Sequence, residues 1–470
     1  MSIPITYPSL KSILQYVECN KRVQLSLRIP CIRKAEKATP LLIESLYIEP
    51  LHMSINKTKY SLGVVRTSEN EDLLKPYESQ NSKGGEQSDL DKYGIPEKSF
   101  EMTAFPGDVV LEKTPPHEPR NLEELELVLR RILIQEGLER AELAPEDQAP
   151  QNQAMEAPGE NDVDQFEDVI APQADVLDEL YETEVRFHKL QISTINDYQH
   201  MILPLRLRAD NAASPFKNFV QLTVKANDKN IAVERLVYNQ TVYKYMKHLM
   251  VSIFGGRRKF GKVYVKKFYS PLNGGVLRVP EGLQLRIKHV DTGRNVKSVM
   301  DGLKTIIDES SFPLKSIELS STFPLLEDIQ HEVVKKANKL ILRESRGFNS
   351  WLDIFLELQN REVFWRRGAL TIEETVTFVK SWLENGKPIG TTFKFAIARE
   401  EFAKEILPLL KELPNAKFIE TGYGPSLFPD CITFPIGDDA ELKIYGVKCE
   451  TVYREALWDF VMKIVPRTAS

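Results

Sequence analysis

Short apolar runs alternate with helical patterns between about residues 295 and 399. Two of these runs, at 314–319 and 337–342, share the pattern apolar-x-x-apolar-x-apolar, and each follows a stretch whose apolar residues recur every three or four positions. The middle apolar positions of four successive runs are 23, 23 and 30 residues apart: Ile317, Leu340, Val363 and Phe393. Such spacing is typical of stacked repeats of one strand and one helix, because a single unit cannot bury its own apolar face. The pattern therefore predicts a repeat-like α/β recognition module, over residues 176–465, whose curved sheet offers a binding face.

The residues before this module follow a different pattern. Apolar residues recur at helical spacing after Pro8, and a second apolar run ends at Pro30, so we predict a helical hairpin over residues 1–38. An α+β module is predicted to follow over residues 39–140. Its elements are two β-rich segments, a polar loop, a strand and a helix, at 41–48, 53–65, 66–96, 109–111 and 122–133.

The distribution of charge separates these two regions. The chain has 470 residues and a formal net charge of −5, and this length suits two or three domains. Residues 141–180 contain twelve acidic residues and no Lys or Arg. A segment of this composition repels itself and is poor in core-forming residues, so we predict a disordered acidic linker at 141–175. It is interpreted as a solvated tether, with an acidic interaction tail as the alternative.

The sequence contains no recognisable catalytic or cofactor motif. The glycine pairs lack the spacing of a nucleotide-binding loop, and the seven histidines and four cysteines lack the spacing of metal ligands. No apolar run is long enough for a membrane span or a signal peptide. We therefore expect a cytoplasmic or nuclear binding protein that is not an enzyme, holds neither cofactor nor metal, and does not contact a membrane.

Two groups of residues are candidates for binding a partner. The first is the basic segment Arg257, Arg258 and Lys259, which continues to Lys267 with interleaved aromatic residues. Such a segment can bind phosphates and stack on bases. The favoured interpretation is a strand with one solvated face, so nucleic acid is the less favoured partner. The second is Trp365 beside Arg366, which either anchors a partner on the sheet surface or belongs to the core.

Several short motifs resemble the nematode F-box C-type expanded family, whose members carry a nematode-specific domain of unknown function. They are spread over most of the chain apart from the acidic segment: Tyr7-Pro8-Ser9-Leu10, Asn20-Lys21-Arg22, Ile29-Pro30, Gly84-Gly85, Asp91-x-Tyr93-Gly94, Pro106-Gly107-Asp108, Phe312-Pro313-Leu314-Lys315, and Trp382 with Ile389-Gly390-Thr391. The resemblance implies that the N-terminal hairpin binds the Skp1 adaptor of a cullin ubiquitin ligase. It also implies that the downstream module binds the protein to be ubiquitinated.

The family's adaptor-binding role is carried over to the apolar residues of the hairpin: Leu10, Ile13, Leu14, Val17, Leu25 and Leu27. The alternative is that this stripe packs back onto the strand at 42–48, in which case the protein is an orphan binding scaffold without a ligase link. The fold prediction as a whole is an α+β N-terminal module followed by an irregular, leucine-rich-repeat-like α/β module.

Overall fold

The structure is a computed structural model that describes most of the chain. The described residues are 6–97, 101–111, 122, 125–127, 195–257, 262–270, 275–293, 296–319, 326–343, 351–368, 370–397, 400–420, 430–448 and 458–467. The predicted acidic linker, most of the predicted helix at 122–133, and the candidate residues Arg258 and Lys259 lie outside them.

Helices and strands alternate through the described residues. The helices are α1 (Tyr7–Tyr16), α2 (Cys19–Arg28), α3 (Arg33–Lys37), α4 (Glu71–Ser82), α5 (Ile195–Ala209), α6 (Val242–Phe254), α7 (Val296–Leu303), α8 (Leu326–Gln330), α9 (Glu332–Lys336), α10 (Leu352–Glu357), α11 (Ile372–Asn385) and α12 (Glu400–Lys411). The strands are β1 (Leu41–Ile48), β2 (His52–Ile55), β3 (Thr58–Thr67), β4 (Asp89–Leu90), β5 (Pro96–Glu97), β6 (Val109–Leu111), β7 (Lys217–Ala226), β8 (Lys229–Val237), β9 (Val263–Tyr269), β10 (Gly275–Leu277), β11 (Leu285–Asp291), β12 (Ser316–Leu319), β13 (Lys339–Leu342), β14 (Glu362–Trp365), β15 (Thr392–Ile397), β16 (Lys417–Glu420), β17 (Asp430–Ile436), β18 (Ala440–Lys448) and β19 (Trp458–Pro466).

Fifteen of these strands form one mixed sheet, in the order β16-β17-β18-β19-β15-β14-β13-β12-β11-β9-β1-β2-β3-β7-β8. The seven strands from β15 to β1 in this order are parallel. The remaining strands, at both ends of the sheet, pair antiparallel. Helices together with this large mixed sheet agree with the α+β class predicted from the sequence.

The four positions chosen from the sequence pattern lie side by side in the parallel strands. Ile317 pairs with Leu340, Leu340 with Val363, and Val363 with Phe393. All four side chains are buried in the same core cluster. The pattern apolar-x-x-apolar-x-apolar therefore marks the residues that each strand sends into the core.

Helices cover the side of the sheet to which these residues point. The core cluster joins them to helix residues such as Val299, Val334, Phe378 and Trp382. The helix α11 is set by a capping box between Thr371 and Glu374, as the sequence predicts. A sheet with helices on one side leaves its other side to be lined by the intervening residues of each strand.

The two sides of the acidic segment belong to the same sheet. The N-terminal strand β1 pairs in parallel with β9, and β3 pairs with β7 over ten residues. A smaller sheet pairs β6 with β10 across the same boundary. This arrangement differs from the expectation of two modules connected only by a tether, because strand pairing across a long interval leaves no sequence signal.

The structure also contains a helix where the sequence predicted a polar loop. Residues 71–82 form α4, and Tyr77 from this helix is fully buried. The segment is polar and contains Pro76, which argues against a helix when propensity alone is considered. Among the described residues, none of the helices is long and apolar enough to cross a membrane.

Candidate functional site

The helix α2 buries the polar residues Asn20, Arg22 and Ser26 beside Cys19 and Val23, and it exposes Leu25 and Leu27. Asn20 donates to the backbone carbonyl of Ile55 over 3.0 Å and accepts from the hydroxyl of Tyr60 over 3.0 Å. Arg22 donates to the backbone carbonyls of Pro40 and Thr39. Because Asn20 and Arg22 make their hydrogen bonds on the buried side of the helix, Leu25 and Leu27 are left on the side that faces solvent.

Three of the six predicted adaptor-binding residues are exposed at the surface. Ile13 is 50% exposed, Leu27 is 45% exposed and Leu25 is also exposed. Leu10 and Val17 are half-buried, and Leu14 alone of the six is buried. With Tyr7, Tyr16 and Ile29, the three exposed residues form what we call the hairpin surface: Tyr7, Ile13, Tyr16, Leu25, Leu27 and Ile29. Exposed large apolar side chains on two consecutive helices make these helices a candidate interaction surface.

A buried ion-pair cluster attaches the hairpin to the C-terminal region. Glu36 of α3 is fully buried and forms ion pairs with Arg22, at 3.3 Å, and with Arg257, which follows α6. Burial lowers the pKa of Arg22, and the nearby Glu36 carboxylate partly offsets this effect. Lys37 donates to the carbonyls of Ser252 and Ile253 at the C-terminus of α6, and burial lowers its pKa to about 8.

Two of the predicted partner-binding residues, Arg257 and Trp365, are buried, and for Trp365 this is the core position that the sequence left as the alternative. Arg257 is only 5% exposed and its guanidinium forms an ion pair with Glu36. It therefore belongs to this internal cluster and not to an exposed basic strand. Trp365 is 2% exposed, and the centroid of its ring lies 5.2 Å from that of Trp351 and 5.1 Å from that of Phe355. Its register partner Leu342 is also a core residue, which explains why Trp365 points inward.

The side of the sheet opposite the helices carries the second candidate surface. We call it the open face and define it by the strand residues that alternate with the core positions. One row of it crosses the parallel strands in register: Tyr269, Asp291, Glu318, Ile341, Phe364 and Lys394. Arg366 lies on this face, two residues beyond Phe364, and its guanidinium is 5.6 Å from that ring.

Glu318 is the centre of an ion-pair cluster on the open face. Its side chain is 3% exposed, and Arg343 donates to its Oε1 through Nε at 3.0 Å and Nη2 at 2.8 Å. Lys267 lies 3.2 Å from Oε2, and Arg366 lies 3.7 Å from Oε1. Arg343 also contacts Asp291 at 3.3 Å. Burial by itself would raise the pKa of Glu318, but the three cations outweigh it and hold this pKa below its usual value.

A row of lysines lies beside this cluster. Lys266 and Lys288 occupy adjacent positions of β9 and β11, and the backbone N–H of Lys315 donates to the carbonyl of Lys288 over 2.9 Å. The next residue of β11, His289, contacts the hydroxyl of Ser316 at 2.7 Å. Burial lowers the pKa of His289, and the positive charges of Lys315, Lys267, Lys266 and Lys288 lower it further. Four lysines therefore place positive charge around this histidine.

Sequence reasoning missed five residues of the open face: Asp291, Glu318, Arg343, Lys288 and Lys315. A signal for them does exist in the aligned repeat units. The lysines Lys266, Lys288 and Lys315 all stand directly after a core residue, at the first x of the pattern apolar-x-x-apolar. Aligning the units at this position, instead of only at their apolar residues, would have brought the three lysines together.

Residues 241–399 match a family described as a domain of unknown function (DUF3557). The chain therefore contains this domain, which runs from α6 to the end of β15 and supplies the ion pairs and lysines of the open face. The match confirms the domain of unknown function that the sequence motifs implied, and it does not extend to the N-terminal helices. No curated protein and no solved structure matches the chain.

Proposed function

We propose that this protein is a recognition scaffold similar to F-box-associated substrate receptors, and not an enzyme. In this proposal the hairpin surface binds a Skp1-type adaptor, and the C-terminal region binds a target protein for a cullin ubiquitin ligase. The observation that carries the proposal is the exposure of apolar residues on α1 and α2. An apolar surface of this kind gains free energy when a partner removes it from water.

The attachment of the hairpin supports a role as a rigid connector. A substrate receptor must hold its adaptor-binding and target-binding surfaces in a fixed relation. Glu36 joins Arg22 of the hairpin to Arg257 of the C-terminal region, and Lys37 contacts the end of α6. The two ion pairs of Glu36 are buried, so they resist the screening that weakens surface ion pairs.

The target-binding surface is proposed to be the open face of an irregular, leucine-rich-repeat-like array. The in-register positions Ile317, Leu340 and Val363 support this view, since each unit repeats one strand and one helical connection. Asn360 adds a link between units, because its side-chain amide donates to the carbonyls of Val334 and Ala337. Arg366 on this face remains a proposed partner-binding residue.

The experiment that tests the adaptor role is co-purification with a recombinant Skp1-type adaptor. We expect the unaltered protein to retain the adaptor and the double variant Ile13→Glu with Leu27→Glu to lose it. Both residues are exposed, so the change adds charge to the surface without entering the core. The thermal unfolding transition should stay near that of the parent.

A matched control is Leu409→Glu, since Leu409 is also an exposed helical leucine but lies on α12. This variant should retain the adaptor. If the unaltered, folded protein never retains the adaptor, the ligase link is wrong and the protein is an orphan binding scaffold. Leu14→Glu is a poor test, because Leu14 is buried and the change would unfold the hairpin.

A further inference from the structure

We infer that the open face binds an acidic peptide segment of the target protein through the row Lys266, Lys288 and Lys315. This inference rests on the proposed role as a recognition scaffold and concerns its target side only. It assigns a chemical class to the partner, namely an extended segment that carries several Asp or Glu side chains.

Lys266 lies on β9, Lys288 lies on the adjacent strand β11, and Lys315 directly precedes the next strand, β12. Neighbouring strands of a sheet are about 4.8 Å apart, so the row spans roughly 10 Å across β9, β11 and β12. All three residues are exposed. Lys266 forms an ion pair with Glu44 at 2.8 Å, but both side chains are exposed to solvent and the pair is therefore weak. The side chains of Lys288 and Lys315 form no ion pair within the described part of the chain.

The neighbouring ion-pair cluster adds to this positive charge instead of cancelling it. Three cations, Lys267, Arg343 and Arg366, surround the two carboxylates of Asp291 and Glu318. Among the described residues of this cluster, the cations therefore outnumber the carboxylates by one. A partner that brings carboxylates to this face neutralises the excess, and charge complementarity of this kind favours association.

The form of the surface favours a peptide over a nucleic acid. Acidic residues are interspersed along the face, with Glu44 at one end of the lysine row and Glu362 beside Lys339. A DNA duplex carries one charge per about 1.7 Å of its axis, so a phosphate backbone laid across this surface would meet carboxylates as well as lysines. In an extended peptide the side chains that face the same way are about 6.6–7 Å apart, so two carboxylates are enough to span the row of roughly 10 Å and no further negative charge has to lie against Glu44 or Glu362.

The test is a titration of the full chain against a fluorescein-labelled peptide of alternating Glu and Ser, followed by fluorescence anisotropy. We expect this peptide to bind and a peptide with Gln in place of Glu not to bind. The variant Lys288→Ala with Lys315→Ala should weaken binding by about three- to tenfold, since each exposed charge contact contributes modestly. The control variant Lys304→Ala with Lys380→Ala removes two exposed lysines on the helix side and should bind like the parent.

Three results would overturn the inference. The first is a loss of specificity: the two double variants weaken peptide binding equally, or the Gln peptide binds as tightly as the Glu peptide. The second is tighter binding of a single-stranded oligonucleotide, lost in Lys288→Ala with Lys315→Ala, which would assign the row to nucleic acid. The third is peptide binding only after the acidic residues of 141–180 are replaced by Ser, which would assign the row to the chain's own acidic segment.

Adaptor co-purification on the same preparations separates this inference from the proposed function. Lys288→Ala with Lys315→Ala should retain the adaptor, because the hairpin surface is untouched. If peptide binding depends on the lysines and no adaptor is retained by any variant, the acidic-peptide site stands and the ligase link falls. If the adaptor is retained and the Glu peptide does not bind, the inference alone is wrong.

Discussion

Glu36 and Arg257 form a buried ion pair across 221 positions of the sequence. Arg22 shares the same carboxylate oxygen, so one acidic side chain serves two guanidinium groups. Removing charges from water is costly, and the pair is tolerable only because backbone carbonyls of Glu36 and Thr39 accept from both arginines. The pair therefore fixes the hairpin against the end of α6.

We expect Glu36→Gln to destabilise the protein by about 3–5 kcal/mol, since it leaves two buried arginines without their counter-charge. Chemical denaturation followed by circular dichroism measures this change. The matched control is Glu332→Gln, which removes a fully solvent-exposed pair with Lys336 on α9 and should leave the transition unchanged. Equal stability of Glu36→Gln and the parent would mean that the cluster does not hold the hairpin.

The elements that a local pattern defines could be predicted from the sequence. The capping box at Thr371 and the core positions of β12 to β15 are local features, and the structure has them where the sequence placed them. The pairing of β1 with β9 could not be predicted, because it joins segments about 220 residues apart that share no local signal. For the same reason the sequence predicts an exposed basic residue at Arg257. Its burial depends on the ion pair with Glu36, which is distant in the sequence.

The register of the parallel strands predicts equivalent roles for Ile317 and Leu340. Both side chains are fully buried and pair with each other across β12 and β13. Replacing either with Ala should destabilise the protein by about 2–5 kcal/mol, the usual cost of emptying a buried aliphatic site. Ile341→Ala, on the open face of the same strand, is the control and should cost much less. A loss below about 1 kcal/mol at both core positions would contradict this assignment.

Shared strands predict that the two halves of the chain stay together after cleavage. A protease site introduced at 141–175 would cut between β6 and β7 in the sequence, but β3 and β7 pair over ten residues and β1 pairs with β9. We expect the two fragments to coelute in size-exclusion chromatography under native conditions and to separate only in denaturant. Separation of folded fragments under native conditions would restore the view of two tethered modules.

The candidate site was predictable only where its residues follow the strand period. Trp365 follows the same alternation as Leu342, so its burial could have been predicted from the aligned units. The cluster around Glu318 was harder to find, because its members come from strands separated by loops of different length. Charged residues in a strand are usually solvated, and only the three-dimensional register shows that Glu318 is enclosed by cations.

The lowered pKa of Glu318 predicts a specific dependence of stability on pH. A carboxyl group whose pKa is lower in the folded state than its usual value of 4.5 stabilises the fold above that pH, and the stabilisation is lost as the pH falls through the lowered value. At pH 7, Glu318→Gln should therefore destabilise the protein by about 1.5–3 kcal/mol, the range for hydrogen bonds to charged groups. The difference between parent and variant should shrink as the pH falls below 4.5, because the unfolded parent then binds a proton that the folded parent does not, and it should be lost once the pH is below the lowered folded-state pKa. Thermal unfolding of both proteins over this pH range measures the effect, with Glu357→Gln, an exposed residue of α10, as the control. A constant difference at all pH values would show that Glu318 contributes through packing and not through its charge.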